Sequence, residues 1–317
     1  MTNSNPARRC LFLACGTCLA LLGLGAPAFS QDKDKAAAAD LKDVRPLVFV
    51  ITGESNSGGL GENRAATAAE LAPRPCVQIM NLTSGQFQFE DLKIGINNLR
   101  EHRRLGGQYE TTCHGFELEL ANAVAEGAFP GHDRVYLIKT GQGGSRVKDW
   151  NEDQQDWKTF VKRIEAGKKQ LPADAQWVVW LSLGINDGLA RNRNFQAEMR
   201  PYLDRVSKAL PGAPIVMTGF QSMGYPEINK ALAELSAERK GVSVIDSTGA
   251  KLVDANHWNY DGLKLVTRRL IAATEQSLKA QTPSAIAIRS GLAKGSDTMD
   301  CRCGFIWVPA FCPAARL

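Results

Sequence analysis

Short apolar runs rich in β-branched residues recur along this chain, at Leu47–Thr52, Cys76–Asn81, Arg134–Thr140, Trp177–Leu183, Pro214–Gly219 and Val242–Asp246. Apolar runs without polar alternation belong to strands covered on both faces. Helical patterns stand between them at Gly115–Gly127, Trp157–Gln170, Gln196–Leu210 and Glu227–Lys240, and Tyr260–Ala280 follows the last run. Strand, helix and strand in that order make parallel β-α-β units with right-handed crossovers. The predicted fold class is therefore α/β, a three-layer α/β/α sandwich. In such folds ligands collect beyond the carboxyl ends of the strands. Five runs end there in small or polar segments: Gly53-Glu54-Ser55-Asn56, Asn81-Leu82-Thr83-Ser84-Gly85, Gly141-Gln142-Gly143-Gly144-Ser145, Gly184-Ile185-Asn186-Asp187 and Gly219-Phe220-Gln221-Ser222.

One of these segments offers a nucleophile. A serine delivered by a turn after the first strand, Ser55, presents its hydroxyl at that edge, and Asp254 and His257 stand late in the chain. A carboxylate three residues before a histidine suits a loop in which the histidine takes the serine proton while the carboxylate fixes its tautomer. The developing oxyanion then needs donors, for which Gly115 and Asn186 are candidates. Asp187 reads as a cap or turn residue. The Gly53–Gly61 stretch has neither the ending of a phosphate loop nor the register of a dinucleotide fingerprint. Nor does position 57 complete a Gly-x-Ser-x-Gly elbow.

Taken together, these blocks resemble the SGNH hydrolases, serine esterases and lipases named for their Ser, Gly, Asn and His. The Gly-x-Ser-Asn form of the first block, with Gly143-Gly144-Ser145 and Trp150 downstream, is similar to the carbohydrate esterase branch that includes sialate O-acetylesterase-like and acetylxylan esterases. The third block, Gly184-Ile185-Asn186-Asp187, follows the Gly-x-Asn-Asp form of the wider family instead of the Gln-Gly-Glu-x-Asp common in that branch. The resemblance implies a flavodoxin-like strand order, Ser55 as nucleophile, His257 as base, Asp254 as its orienter, and Ser55, Gly115 and Asn186 around the oxyanion. Candidates to touch substrate are Glu54, Asn56, Gly144, Ser145, Trp150 and Trp258. Trp150, Trp258 and Tyr260 form either a stacking wall for a sugar or part of the core. The expected activity is removal of small acyl groups, above all acetyl, from a carbohydrate. A lipase or lysophospholipase acting on longer chains, and a glycan-binding module without turnover, are the alternatives.

The ends of the chain read differently from its middle. Arg8-Arg9, an apolar run from Leu11 to Leu24 and Ala28-Phe29-Ser30 have the form of a signal peptide over residues 1–30. The run is shorter than the roughly 20 residues that span a bilayer, so a secreted or periplasmic protein without stable membrane insertion is expected. Residues 31–43 form a charged, alanine-rich leader, residues 44–282 the esterase domain, and residues 283–317 a tail without helical periodicity. Loss of Arg8 and Arg9 lowers the formal net charge of +5 by two, too balanced for a nucleic-acid footprint. Cys76 and Cys113 either form a bridge or remain thiols, and Cys301, Cys303 and Cys312 lie in the tail. His102, His114 and His132 read as surface or loop residues, with His114 beside the cleft. No metal-ligand spacing appears, and neither a metal nor another cofactor is expected.

Overall fold

The computed structural model describes residues 45–281 apart from 82–86, 98–99, 102–108, 111 and 133. The signal segment, leader, C-terminal tail and His102 lie outside the described residues. Contacts divide the chain into Met1–Asp43 and Val44–Leu317, and the described residues all belong to the second unit.

Its strands are β1 (Leu47–Gly53), β2 (Gly61–Glu62), β3 (Arg74–Met80), β4 (Phe89–Leu92), β5 (Arg100–Glu101), β6 (Tyr109–Glu110), β7 (Cys113–His114), β8 (Val135–Lys139), β9 (Gln176–Ser182), β10 (Ile215–Thr218) and β11 (Val242–Ile245). Its helices are α1 (Ser55–Gly58), α2 (Phe116–Ala125), α3 (Gln155–Gln170), α4 (Ile185–Leu189), α5 (Phe195–Ala209), α6 (Pro226–Glu238) and α7 (Tyr260–Gln281). Seven strands form the central sheet in the order β11-β10-β9-β1-β8-β3-β4. All pairs are parallel except β3 with β4. Within it, β8-β1-β9-β10-β11 reproduces the flavodoxin order, in which the first strand lies between its second and third partners. β3 and β4 extend this core at the β8 edge. The run at Cys76–Asn81 is thus an addition to the edge, and β8 supplies the strand beside β1.

All seven residues of β1 are buried, as a central parallel strand between two helical layers requires. The register makes the layers explicit. Ile51 pairs with Trp180, whose indole Nε1 donates to Thr274 Oγ1 of α7 at 2.9 Å and whose ring meets Phe116 of α2. Val50 pairs with Ile138, one residue out of phase and so on the opposite face. Ile138 lies against Gly167 of α3, where a Cβ would come within 2.6 Å of its Cδ1. Helices therefore cover both faces.

The parallel strands all release their carboxyl ends at one edge. There, Gly53 ends β1 at φ +120°, and a Cβ would come within 1.8 Å of Ser182 O. No side chain fits, so the chain can turn tightly enough for Glu54 N to donate to Ser182 O at 2.7 Å. The neighbouring loop is stitched to the same turn, with Gln142 N donating to Gly53 O at 2.8 Å.

Cys76, on β3, and Cys113, on β7, are not bridged to each other. Among the described residues no helix is long and apolar enough to cross a membrane.

Candidate active site

Ser55 opens the one-turn helix α1 directly after β1, and its amide is one of the donors that a helix start leaves without an intrahelical partner. Its Oγ lies 2.8 Å from His257 Nε2, across 202 residues of sequence. His257 Nδ1 lies 2.8 Å from both Oδ1 and Oδ2 of Asp254. The loop carrying this pair folds on itself: Asn256 N donates to Asp254 Oδ1 at 2.8 Å, and Val253 N donates to His257 O at 2.9 Å. Partial burial works to raise the Asp254 pKa, but the hydrogen bonds from Asn256 N and His257 outweigh it and hold the carboxyl below its usual range. A charged Asp254 suits a histidine that must carry Nδ1–H toward it.

Asn56 fixes the distance between the two halves. Its Nδ2 donates to Asn256 O at 2.9 Å and its Oδ1 accepts from Trp258 N at 3.4 Å, so it holds the backbone on both sides of His257. From the far side, Tyr225 OH donates to Asn256 Oδ1 at 2.8 Å. Tyr225 sits at φ +54°, a strained value for a residue with a side chain.

Asn186 lies in α4 beyond β9, and its Nδ2 donates to Ser145 O at 3.0 Å. An amide nitrogen carries two protons, and this bond uses one of them. Asp187 is buried and does more than cap a turn. Its Oδ2 accepts from Val147 N at 3.0 Å and its Oδ1 from Asn192 Nδ2 at 2.8 Å, tying α4 to the segment after Ser145. Burial pushes its carboxyl up, with the Asn192 and Val147 bonds opposing.

Other expected site residues are placed differently. The Gly115 amide donates to Glu117 Oε1 at 2.7 Å, so it is spent inside its own loop and is not open to an oxyanion. Trp150 and Trp258 are fully buried, which assigns them to the core and removes them from any sugar-stacking wall. Trp150 Nε1 donates to Ser145 Oγ at 3.3 Å, and Trp258 stacks on Phe220. Ser145 is also buried, with its Oγ donating to Gln142 O at 2.8 Å. Glu54 and Asn56 lie beneath Ser55 at 0% and 1% exposure, too deep to meet a sugar. Gly144 is the exposed residue of that group, at φ +79° with open space where a Cβ would stand. His114, expected at the surface, is buried with Nδ1 3.0 Å from Asn63 Oδ1, and burial lowers its pKa to about 4.

Behind α1 lies a buried ion pair absent from the expectations. Lys139 Nζ donates to Glu117 Oε2 at 2.9 Å and to Gly58 O at 3.0 Å. Burial works to raise the Glu117 pKa, but Lys139 and the Gly115 amide outweigh it and lower it. The signal was present in the sequence, because a lysine closing the apolar run Val135-Tyr-Leu-Ile-Lys139 needs a partner once buried. Beside the His257 loop, a cleft of about 460 Å³ is lined by Leu60, Glu62, Ala65, Leu252, Val253 and Tyr260, among others.

Comparison with known proteins identifies the family. The family model described as carbohydrate esterase, sialic acid-specific acetylesterase, matches residues 45–276. Among solved structures, a protein from Arabidopsis thaliana is similar at 18% identity and a TM-score of 0.60, over 73% of this chain and 98% of its own. NanS is similar at 13% identity and a TM-score of 0.59, over 76% of this chain and 100% of its own. Likenesses of that identity speak for the fold. No curated protein matches the sequence. With the family model spanning nearly the whole folded unit over an SGNH-type sheet, the chain belongs to the carbohydrate esterase family described as sialic acid-specific acetylesterase, and it is a carboxylic ester hydrolase.

Proposed function

We propose that the protein removes O-acetyl groups from a carbohydrate through an acyl-enzyme on Ser55. The observation that carries this reading is the continuous relay from Ser55 Oγ through His257 to Asp254, with both links at 2.8 Å. Ser55 Oγ attacks the ester carbonyl as His257 Nε2 takes its proton, and Asp254 stabilises the imidazolium. His257 then gives the proton to the sugar oxygen as its bond to the acyl carbon breaks, releasing the sugar hydroxyl. Water repeats the sequence to release acetate and restore Ser55.

For the oxyanion we assign the Ser55 amide, the second proton of Asn186 Nδ2 and the amide of Gly144. Gly144 replaces Gly115 in this role because its loop follows β8, the strand beside β1, and is bonded both to Gly53 and to Asn186. Asn186→Ala is expected to lower kcat by roughly 10²- to 10³-fold with a small change in KM, because the donor acts mainly in the transition state. Equal losses in binding and turnover would assign Asn186 to substrate binding instead.

The cleft bounded by Leu60 and Val253 is our site for the sugar, since apolar and polar groups mix along it. Acetylated xylan, O-acetylated sialic acid, an aryl acetate and an aryl octanoate separate the readings. Turnover is expected on acetyl esters and to fall toward octanoyl, and a rise toward octanoyl would favour the lipase alternative. We further propose that the protein is exported with removal of residues 1–30. Terminal sequencing of the protein recovered outside the cytoplasm should then begin at Gln31, and an intact Met1 terminus would refute it.

A further inference from the structure

Ser55 Oγ has two acceptors at the same distance. His257 Nε2 lies at 2.8 Å, and so does Glu54 Oε2. A hydroxyl carries one proton and cannot donate to both. Donation to an ionised carboxylate is charge-assisted and the stronger of the two choices, and it leaves the base without the proton it must remove. Glu54 is not a solvated bystander, being fully buried at 0% exposure. Its Oε1 accepts from Ser182 Oγ at 3.0 Å, and Thr218 Oγ1 in turn donates to Ser182 Oγ at 3.0 Å, which commits the Ser182 proton to Glu54. Its Oε2 also accepts from Asn56 N at 3.1 Å. The groups facing Glu54 from the sheet are thus neutral hydroxyls, and across Ser55 stands the His257–Asp254 pair. No lysine or arginine bonds to it among the described residues.

We propose that Glu54 is a further catalytic residue, an acid whose proton is donated from Oε2 to a lone pair of Ser55 Oγ so that the serine proton is directed to His257. The inference rests on the esterase reading above. With the proton in place the order of donation is Glu54 to Ser55, Ser55 to His257 and His257 to Asp254. On attack, the Oγ–carbon bond forms, the Ser55 proton moves to His257 Nε2 and Glu54 keeps its own. When the acyl-enzyme is cleaved, the same Glu54 hydrogen bond stabilises Oγ as it leaves. When Glu54 loses its proton to solvent, Ser55 turns to Oε2 and the relay is broken. Burial, which pushes the Glu54 carboxyl above its ordinary range against the bonds from Asn56, Ser55 and Ser182, works in the required direction.

The test measures the rate at which a sulfonyl fluoride modifies Ser55 across the pH range, beside kcat/KM on an aryl acetate, for the full chain and its Glu54→Gln variant. In the unaltered protein both rates should rise from the acid side and fall on the alkaline side, by about tenfold for each pH unit beyond the limb. Glu54→Gln cannot ionise and should keep the rise while losing the alkaline fall. An alkaline fall that is unchanged in the variant overturns the proposal. Infrared difference spectra of the unaltered protein provide a second readout that needs no folded variant. The carbonyl band of a protonated carboxyl should disappear along the same alkaline limb, and its absence where the protein is active also overturns the proposal. Modification of Ser55 with the expected pH profile but no hydrolysis of any ester would instead defeat the esterase reading and leave the role of Glu54 standing.

Discussion

Alanine at position 55 is expected to lower kcat for an aryl acetate by roughly 10⁵- to 10⁶-fold, with the circular dichroism spectrum and urea midpoint unchanged. The size follows from the relay itself. Without Oγ there is no atom to carry the acyl group, and His257 Nε2, 2.8 Å from that oxygen, faces nothing it can deprotonate. His257→Ala should cost a comparable factor, and the double variant little more than either, because members of such a relay act as one unit. Additive losses in the double variant would mean that Ser55 and His257 do not share a step, and undiminished turnover in Ser55→Ala would remove the nucleophile altogether.

The second large effect is expected from Lys139→Met, read as a loss of about 3–5 kcal/mol in urea unfolding. Lys139 and Glu117 are 4% and 0% exposed, so removing the ammonium strands a carboxylate in the interior. It also releases Gly58 O, to which Lys139 Nζ donates, at the end of the turn that begins with Ser55. Turnover should therefore fall along with stability. Adding Glu117→Gln should recover much of the stability, since a neutral amide can still accept from Gly115 N. A cost below about 1 kcal/mol for Lys139→Met would mean that the pair behaves like one in water.

How much of this was legible in the sequence differs from residue to residue. The runs that became β1, β8, β9 and β10 were visible because burial on both faces demands unbroken apolar stretches, and β11, a half-buried edge strand, was visible from its β-branched residues. β4, with the sequence Phe-Glu-Asp-Leu, was not, since its two acidic residues are exposed on an antiparallel edge and carry no such signature. The pairing of Ser55 with His257 could be reached through the family resemblance, whereas periodicity has no information on contacts across 202 residues. Gly115 was misassigned for a local reason. A carboxylate two residues downstream captures its amide, and motif spacing does not reveal such competition. Trp150 and Trp258 went to the core because an indole suits a buried site as well as an exposed one. Glu54 is the opposite case, a carboxyl residue directly between an apolar strand and its serine, and only the geometry shows which way that carboxyl turns.

The side chain of Asn56 acts as a gauge block between two parts cut from distant stock. Because it grips the peptide groups on either side of His257 while sitting next to Ser55, the 2.8 Å gap between Ser55 Oγ and His257 Nε2 is a local dimension. A displacement of the sheet would carry both atoms together, so the relay we propose would be insulated from slack in the long chain between them.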